Sequence, residues 1–145
     1  MVSIVFYAAR TTKGIIRLSK DERALVTLPD EIKEMLIGIL LGDGHIVKRS
    51  PTANSRFTYT QTAVAHKEYF EYVFSFFISF CVKDYIPQSK VVRDNRTNKI
   101  YSAISFTTMQ LLCFNVFKEM FYVSNVKIVP DNIDELLTSS RRLTF

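Results

Sequence analysis

The chain has few of the residues that staple or punctuate small folds. Of its 145 residues, two are cysteine, four are proline and four are glycine. Cys81 and Cys113 stand alone with no C-x-x-C spacing, which argues against a zinc site and against a disulfide framework, and makes a reducing compartment the default. Long hydrophobic runs are missing too. Met35 to Leu41 is far too short to cross a bilayer. Tyr69 to Val82 carries Glu71 and still falls short of the roughly 18 apolar residues that a span needs, so both read as buried helices and no membrane partner is expected. Acid is absent from the start of the chain: Arg10, Lys13, Arg17 and Lys20 precede the first carboxylate, Asp21. That pattern resembles a mitochondrial transit peptide. The plainer and preferred reading is a basic, poorly ordered extension over residues 1–27.

What remains is rich in core-forming residues. Hydrophobic side chains make up 48% of the sequence, enough for one compact domain with a real core. The net charge of +5 and a pI near 9.3 suit a polyanion, either nucleic acid or an anionic surface. Charge alone leaves that open, because many basic domains bind no nucleic acid.

The organised region is expected over residues 28–138. Pro29 suits the start of a helix, and Asp30, Glu31 and Glu34 sit where the helix dipole favours acids. Ile32, Leu36, Ile39 and Leu40 follow with helical spacing, so this helix should end near Gly42. A short extended piece at His45–Arg49 and a Ser-Pro-Thr-Ala-Asn loop lead to Arg56–Thr62. There Phe57 and Tyr59 alternate with Arg56, Thr58 and Thr60, the mark of a strand with one apolar and one polar face. A second helix is expected over His66–Lys83. A second hairpin, Ser89–Asp94 with Lys99–Thr107, should turn at residues 94–98. A third helix is expected over Met109–Phe121, then a loop and a short helix at Asp131–Leu137. The fold class is therefore α+β, with helices on one face of a four-stranded antiparallel sheet. Its other face would carry Arg49, Arg56, Thr58, Thr60, Arg93, Lys99, Tyr101 and Ser105. Such a face can read nucleic acid, since β-ribbons enter the major groove, or it can simply be solvated.

One nonapeptide sharpens this. In L-I-G-I-L-L-G-D-G, residues 36–44, Gly38 and Gly42 lie on one side of the first helix. Glycine inside a helix costs about 1 kcal/mol relative to alanine. Close approach of a second helix would explain two of them. Asp43 then falls at the helix C-terminus, beside unsatisfied carbonyls and the negative end of the dipole, a place that welcomes a cation. Oxygen ligands of this kind suit Mg²⁺ or Ca²⁺. Two such helices packed through their glycines would set two acids side by side, as two-metal phosphodiester cleavage requires.

The nonapeptide resembles the LAGLIDADG motif of homing endonucleases of the organellar, intron-encoded kind. So do L-P-D-E-I-K-E-M before it, G-H-I-V-K-R after it, F-T-Y-T-Q-T-A-V-A-H-K-E-Y-F-E-Y at residues 57–72 and F-Y-V-S-N-V-K-I-V-P-D-N-I at residues 121–133. The resemblance implies an αββαββα half-domain whose saddle-shaped sheet sits on double-stranded DNA, with metal-dependent cutting of both strands. It implies Mg²⁺ or another divalent cation held by Asp43 and the Gly42 carbonyl. It further implies Gln61 as a residue that positions active-site water and Lys127 as a basic residue near the attacked phosphate. Arg49, Arg56, Thr58, Arg93, Lys99 and Tyr101 are expected to face the groove by parity, and His45 to have a DNA-facing or structural role. The setting it implies is mitochondrial or otherwise organellar.

The family works with two motifs, and this chain has one. It should therefore pair with itself as a homodimer or with a second LAGLIDADG half, resembling the N-terminal half of a two-motif member. Residues 128–145 resemble the linker that leads to a second motif. Relatives commonly continue there with tryptophan, and this chain has none. Residues 139–145 are thus expected to be a tail or a truncated linker, with a tryptophan codon read as stop and a degenerate gene as the two hypotheses for it. Two alternatives to a DNA endonuclease stand beside it: an RNA maturase that holds intron RNA on the same basic surface, and an inactive remnant.

Overall fold

The computed structural model describes residues 10–12 and 15–136, and regular structure in it starts well before Leu28. β1 (Arg10–Thr12) and β2 (Ile15–Arg17) pair antiparallel. α1 (Lys20–Ala24) follows, closed by a reciprocal capping box: the Glu22 amide donates to Ser19 Oγ at 3.2 Å and the Ser19 amide donates to Glu22 Oε1 at 2.7 Å. Val26 is buried in the core. The stretch expected to be a poorly ordered extension thus holds a helix and a core residue. S-K-D-E was the readable sign of the cap. The tail at residues 139–145 lies outside the described residues.

α2 (Asp30–Leu40) has Pro29 at its N-cap and acids in its first turn, as the charge pattern requires. Ile32, Leu36, Ile37, Ile39 and Leu40 are its buried side. β3 (Gly44–Lys48) and β4 (Ser55–Thr62) form the first hairpin. α3 (Lys67–Phe77) is shorter than expected, because a 3₁₀ turn at Ile78–Phe80 ends it and Cys81 turns extended. β5 (Gln88–Arg93) and β6 (Ile100–Thr107) make the second hairpin. Its turn falls at the expected residues, held by the Arg96 amide donating to Asp94 Oδ1 at 2.9 Å and by Asn98 at φ 60°. α4 (Asn115–Phe121) begins later than the expected Met109. The Met109 and Leu111 amides instead donate to the carbonyls of Phe80 and Ser55, both at 2.9 Å, which keeps that stretch extended. β7 (Tyr122–Val123) and β8 (Val126–Lys127) form a two-residue-loop hairpin that sequence reading missed. Ser124 and Asn125 both take positive φ at its turn. Residues 133–136 are helical, and Leu137, the expected end of that helix, lies outside the described residues.

The four long strands run in the order β3-β4-β6-β5, all antiparallel. The first hairpin's register pairs Ile46 with Phe57, and the central pair sets Tyr59 beside Phe106. These side chains turn toward α2, α3 and α4. The core there joins the Ile and Leu side of α2 to a cluster of aromatic rings from β4, α3, β6 and the approach to α4. Phe57 lies 4.8 Å from Phe77, 5.7 Å from Phe106 and 6.4 Å from Phe114, centroid to centroid. Each such ring contributes about 1.5–3 kcal/mol by leaving water. Cys81 and Cys113 are free, and burial pushes both thiols up to about 12. Among the described residues no helix is long and apolar enough to cross a membrane.

Candidate functional site at the end of the glycine helix

The exposed side of α2 carries Glu31, Lys33 and, toward its C-terminal end, Gly38, with Leu41 and Gly42 exposed just beyond the helix. A Cβ built on Gly38 meets no atom within 4 Å. Gly44 is different. A Cβ there would lie 2.7 Å from Ile39 Cγ2, 2.9 Å from Phe57 Cε1 and 3.2 Å from the Ile39 carbonyl oxygen. Only glycine lets the chain leave the helix and enter β3 at that point. Between Gly42 and Gly44 the turn presents Asp43 to solvent.

A packing prediction follows. Gly44→Ala should cost about 1–3 kcal/mol, the range for overpacking. Gly42→Ala, whose nearest added contact is an ordinary 3.8 Å, should cost far less. Denaturant midpoints of the two variants check this, and equal losses would count against it.

The residues expected at the site converge on this turn. The Gln61 side chain, 18 positions away at the end of β4, donates through Nε2 to Asp43 Oδ2 at 2.8 Å. The same nitrogen donates to the Tyr59 hydroxyl at 2.9 Å. Lys127 arrives on β8. Its Nζ donates to the carbonyls of Gly42, at 2.7 Å, and of Gly44. The cation that the helix C-terminus calls for is therefore supplied by the chain itself. Partial burial holds the Lys127 pKa below its ordinary value, while Asp43 pulls it back up. His45 projects from the start of β3. Partial burial, then the nearby Lys127, lower its pKa against the opposing pull of Asp43.

The β7–β8 hairpin that delivers Lys127 is tied down. The Ile46 amide donates to the Tyr122 hydroxyl at 3.0 Å, and Lys118 Nζ lies 4.2 Å from the centre of the same ring. Tyr59, Tyr122 and Gly44 were not singled out from sequence as site residues. The readable sign for the tyrosines was a hydroxyl in an otherwise phenylalanine-rich chain. For Gly44 it was a glycine opening a strand.

Of the eight side chains expected on the polar sheet face, five lie on it, and Arg93, Arg49 and Lys99 depart. His45, Arg56, Thr58, Thr60, Ser105 and Tyr101 share the side turned away from the helices, and Lys90, paired with Ala103, joins them. Lys90 was missed because the register of β5 cannot be read locally. Arg93 pairs with Ile100 and therefore lies on the other face. Arg49 stands just beyond the end of β3, and Lys99 sits in the turn before β6. Thr58 Oγ1 is already engaged with the Phe106 carbonyl and Thr107 Oγ1, both at 3.2 Å.

As a metal site the donors fit one side of a coordination shell and not a whole one. Asp43 has an oxygen that Gln61 does not use. The Gly42 carbonyl keeps a second lone pair beside the one taken by Lys127. Among the described residues no three His, Cys, Asp or Glu side chains cluster to hold an ion. Mg²⁺ needs few protein ligands when phosphate oxygens and water complete its shell.

These features define a class: an αββαββα half-domain with a polar sheet face and a single acid at the end of a glycine-bearing helix. The chain belongs to the LAGLIDADG DNA endonuclease family, whose model matches residues 33–143. It is 29% identical over 113 residues to the cytochrome b mRNA maturase bI2 of Debaryomyces hansenii, covering 77% of this chain and 42% of that protein. It is 27% identical over 119 residues to the DNA endonuclease I-ChuI of Chlamydomonas applanata, covering 78% of this chain and 54% of that protein. The chain thus spans about half the length of these curated relatives. Among solved structures, the homing endonuclease I-WcaI bound to its DNA recognition sequence has the same fold, with a TM-score of 0.64 at 19% identity. That match covers 74% of this chain and 45% of the other.

Proposed function

We propose that this chain is one half of a site-specific, divalent-metal-dependent endonuclease that cuts double-stranded DNA, working with a second copy of itself or with a second acidic-motif half. The observation that supports this most directly is the meeting of Asp43, Gln61 and Lys127 at the end of the glycine-bearing helix. In this reading Asp43 and the free lone pair of the Gly42 carbonyl hold Mg²⁺. The bound ion would supply positive charge at the scissile phosphate and lower the pKa of attacking water. Gln61 orients that water. Lys127 adds fixed positive charge where the phosphate gains negative charge. Arg56, Thr58, Lys90 and Tyr101 line the DNA face, with Arg49 and Lys99 at its ends; Arg93 is not part of it. Selection of cut duplexes from a randomised library, with Mg²⁺ and with chelator, tests the reading. Recovery of a defined cut site only with Mg²⁺ is expected. A folded, paired chain that cuts nothing would overturn it.

Pairing has its own test. Gly38→Leu starts from an exposed position where an added Cβ meets no atom within 4 Å in the single chain. Melting of the dilute, unpaired protein should therefore not fall, and should rise a little because leucine favours a helix over glycine by under about 1 kcal/mol, while the pair's dissociation constant rises at least about tenfold, a loss of about 1.4 kcal/mol. Sedimentation over a concentration series measures this. Pairing as tight as the parent's would remove Gly38 from the interface.

A second reading, an RNA maturase assisting intron splicing, is favoured by the similarity to a cytochrome b mRNA maturase. That similarity also supports an organellar, mitochondrial setting. A maturase would hold intron RNA more tightly than duplex DNA in direct competition.

A further inference from the structure

The aromatic cluster of the core is built from phenylalanine, with one informative exception. Phe57, Phe70, Phe77, Phe106, Phe114 and Phe121 are all fully buried. Tyr59 sits among them at 2% exposure, stacked 5.9 Å from Phe70 and lying 6.0 Å from Phe106. A phenol hydroxyl buried without a partner costs free energy that phenylalanine would avoid. The partner here is Gln61, and Gln61 in turn reaches Asp43.

The chemistry of the amide makes this contact directional. A carboxylate oxygen only accepts, so the nitrogen end of Gln61 must face Asp43. That nitrogen has two protons. One goes to Asp43 Oδ2 at 2.8 Å and the other to the Tyr59 hydroxyl at 2.9 Å. Both donors are then used inside the protein. Among the described residues no donor reaches Gln61 Oε1, and the side chain is half exposed. Oε1 is left as a fixed acceptor beside the acid. Without the phenol, one amide proton would be free and the amide could rotate about its last bond, because that torsion is broad.

We propose that Tyr59 is a positioning residue for the proposed cleavage reaction: its buried hydroxyl locks the Gln61 amide so that Oε1 accepts a hydrogen bond from the attacking water. The inference deepens the reading of Asp43 as the active-site acid and rests on it. The rigidity comes from the core. The ring that carries the hydroxyl is clamped by α3 and β6, so Gln61 is held by the aromatic packing and not by its own three-bond stem.

The test uses the full chain and a double-mutant cycle. Tyr59→Phe keeps the ring and removes the hydroxyl. Single-turnover cutting should slow about tenfold, with duplex affinity in chelator unchanged within twofold and the melting temperature nearly unchanged. In the Gln61→Ala background, Tyr59→Phe should add less than twofold. A loss of the same size in both backgrounds, or no loss in the parent, would overturn the proposal. A parent chain that cuts nothing would mean the endonuclease reading fails. The lock is then read by nuclear magnetic resonance: Tyr59→Phe should shift and broaden the two Gln61 side-chain amide protons while leaving the Ile46 and Gly44 backbone amides in place. Unmoved side-chain resonances would overturn the lock itself.

Discussion

Asp43→Asn should abolish metal-dependent cutting while leaving the fold and duplex binding in place. The substitution keeps the shape of the side chain and removes its charge. Asp43 is exposed and its one hydrogen bond within the described residues comes from Gln61, so the change disturbs no packing. Its amide oxygen can still accept from Gln61. What is lost is the only carboxylate at the turn. A neutral amide oxygen brings no negative charge and so holds a divalent cation more weakly than a carboxylate does, and losing several kcal/mol of transition-state stabilisation amounts to about 10³-fold or more in rate. Cutting should fall below detection. Affinity for the same duplex in chelator should change little, or tighten slightly as one negative charge leaves the surface proposed to face phosphates. Parallel cleavage and gel-shift measurements on the selected target check both halves. Cutting that survived the change would remove Asp43 from the metal site.

Phe57→Ala should be among the most damaging single changes to stability. The ring is fully buried at the middle of β4 and touches rings from α3, β6 and the approach to α4. Truncating such a ring typically costs about 3–5 kcal/mol, as lost transfer energy plus an unfilled cavity. Whole domains have only about 5–15 kcal/mol in hand. The loss also reaches the site, because Phe57 Cε1 is one wall of the space that admits no Cβ at Gly44. Urea unfolding should show a large drop in midpoint with an unchanged slope. A drop worth less than about 1.5 kcal/mol would mean the neighbours close the gap, contrary to an interior packed at crystal density.

Much of the architecture was legible because its signals are local. The alternation of Phe57 and Tyr59 with Arg56, Thr58 and Thr60 gave β4 and its two faces. Pro29 and the acids after it marked the start of α2, and the 94–98 turn separated β5 from β6. The misses share a cause. Phe74 to Phe80 is apolar but for Ser75 and Ser79, so spacing could not show where α3 stops. Met109 looked helical, but hydrogen bonds to Phe80 and Ser55, distant in sequence, hold it extended. The paired positive φ at Ser124 and Asn125 makes a hairpin from residues that carry no glycine to announce it. The S-K-D-E cap was legible and was outweighed by the basic composition around it.

The sequence by itself determined that an acid ends a glycine-bearing helix and that one face of the sheet is polar. These properties depend on spacing along a single element. The family resemblance named Gln61 and Lys127 beside Asp43, but only the tertiary structure decided how they reach its turn. Lys127 reaches the motif turn across 85 positions of chain, through a hairpin pinned by Tyr122. It also decided that Arg93 turns away from the polar face while Lys90 turns toward it. Register carries that decision: a shift of one residue reverses every side chain of a strand, and register is set by partners far away in the chain.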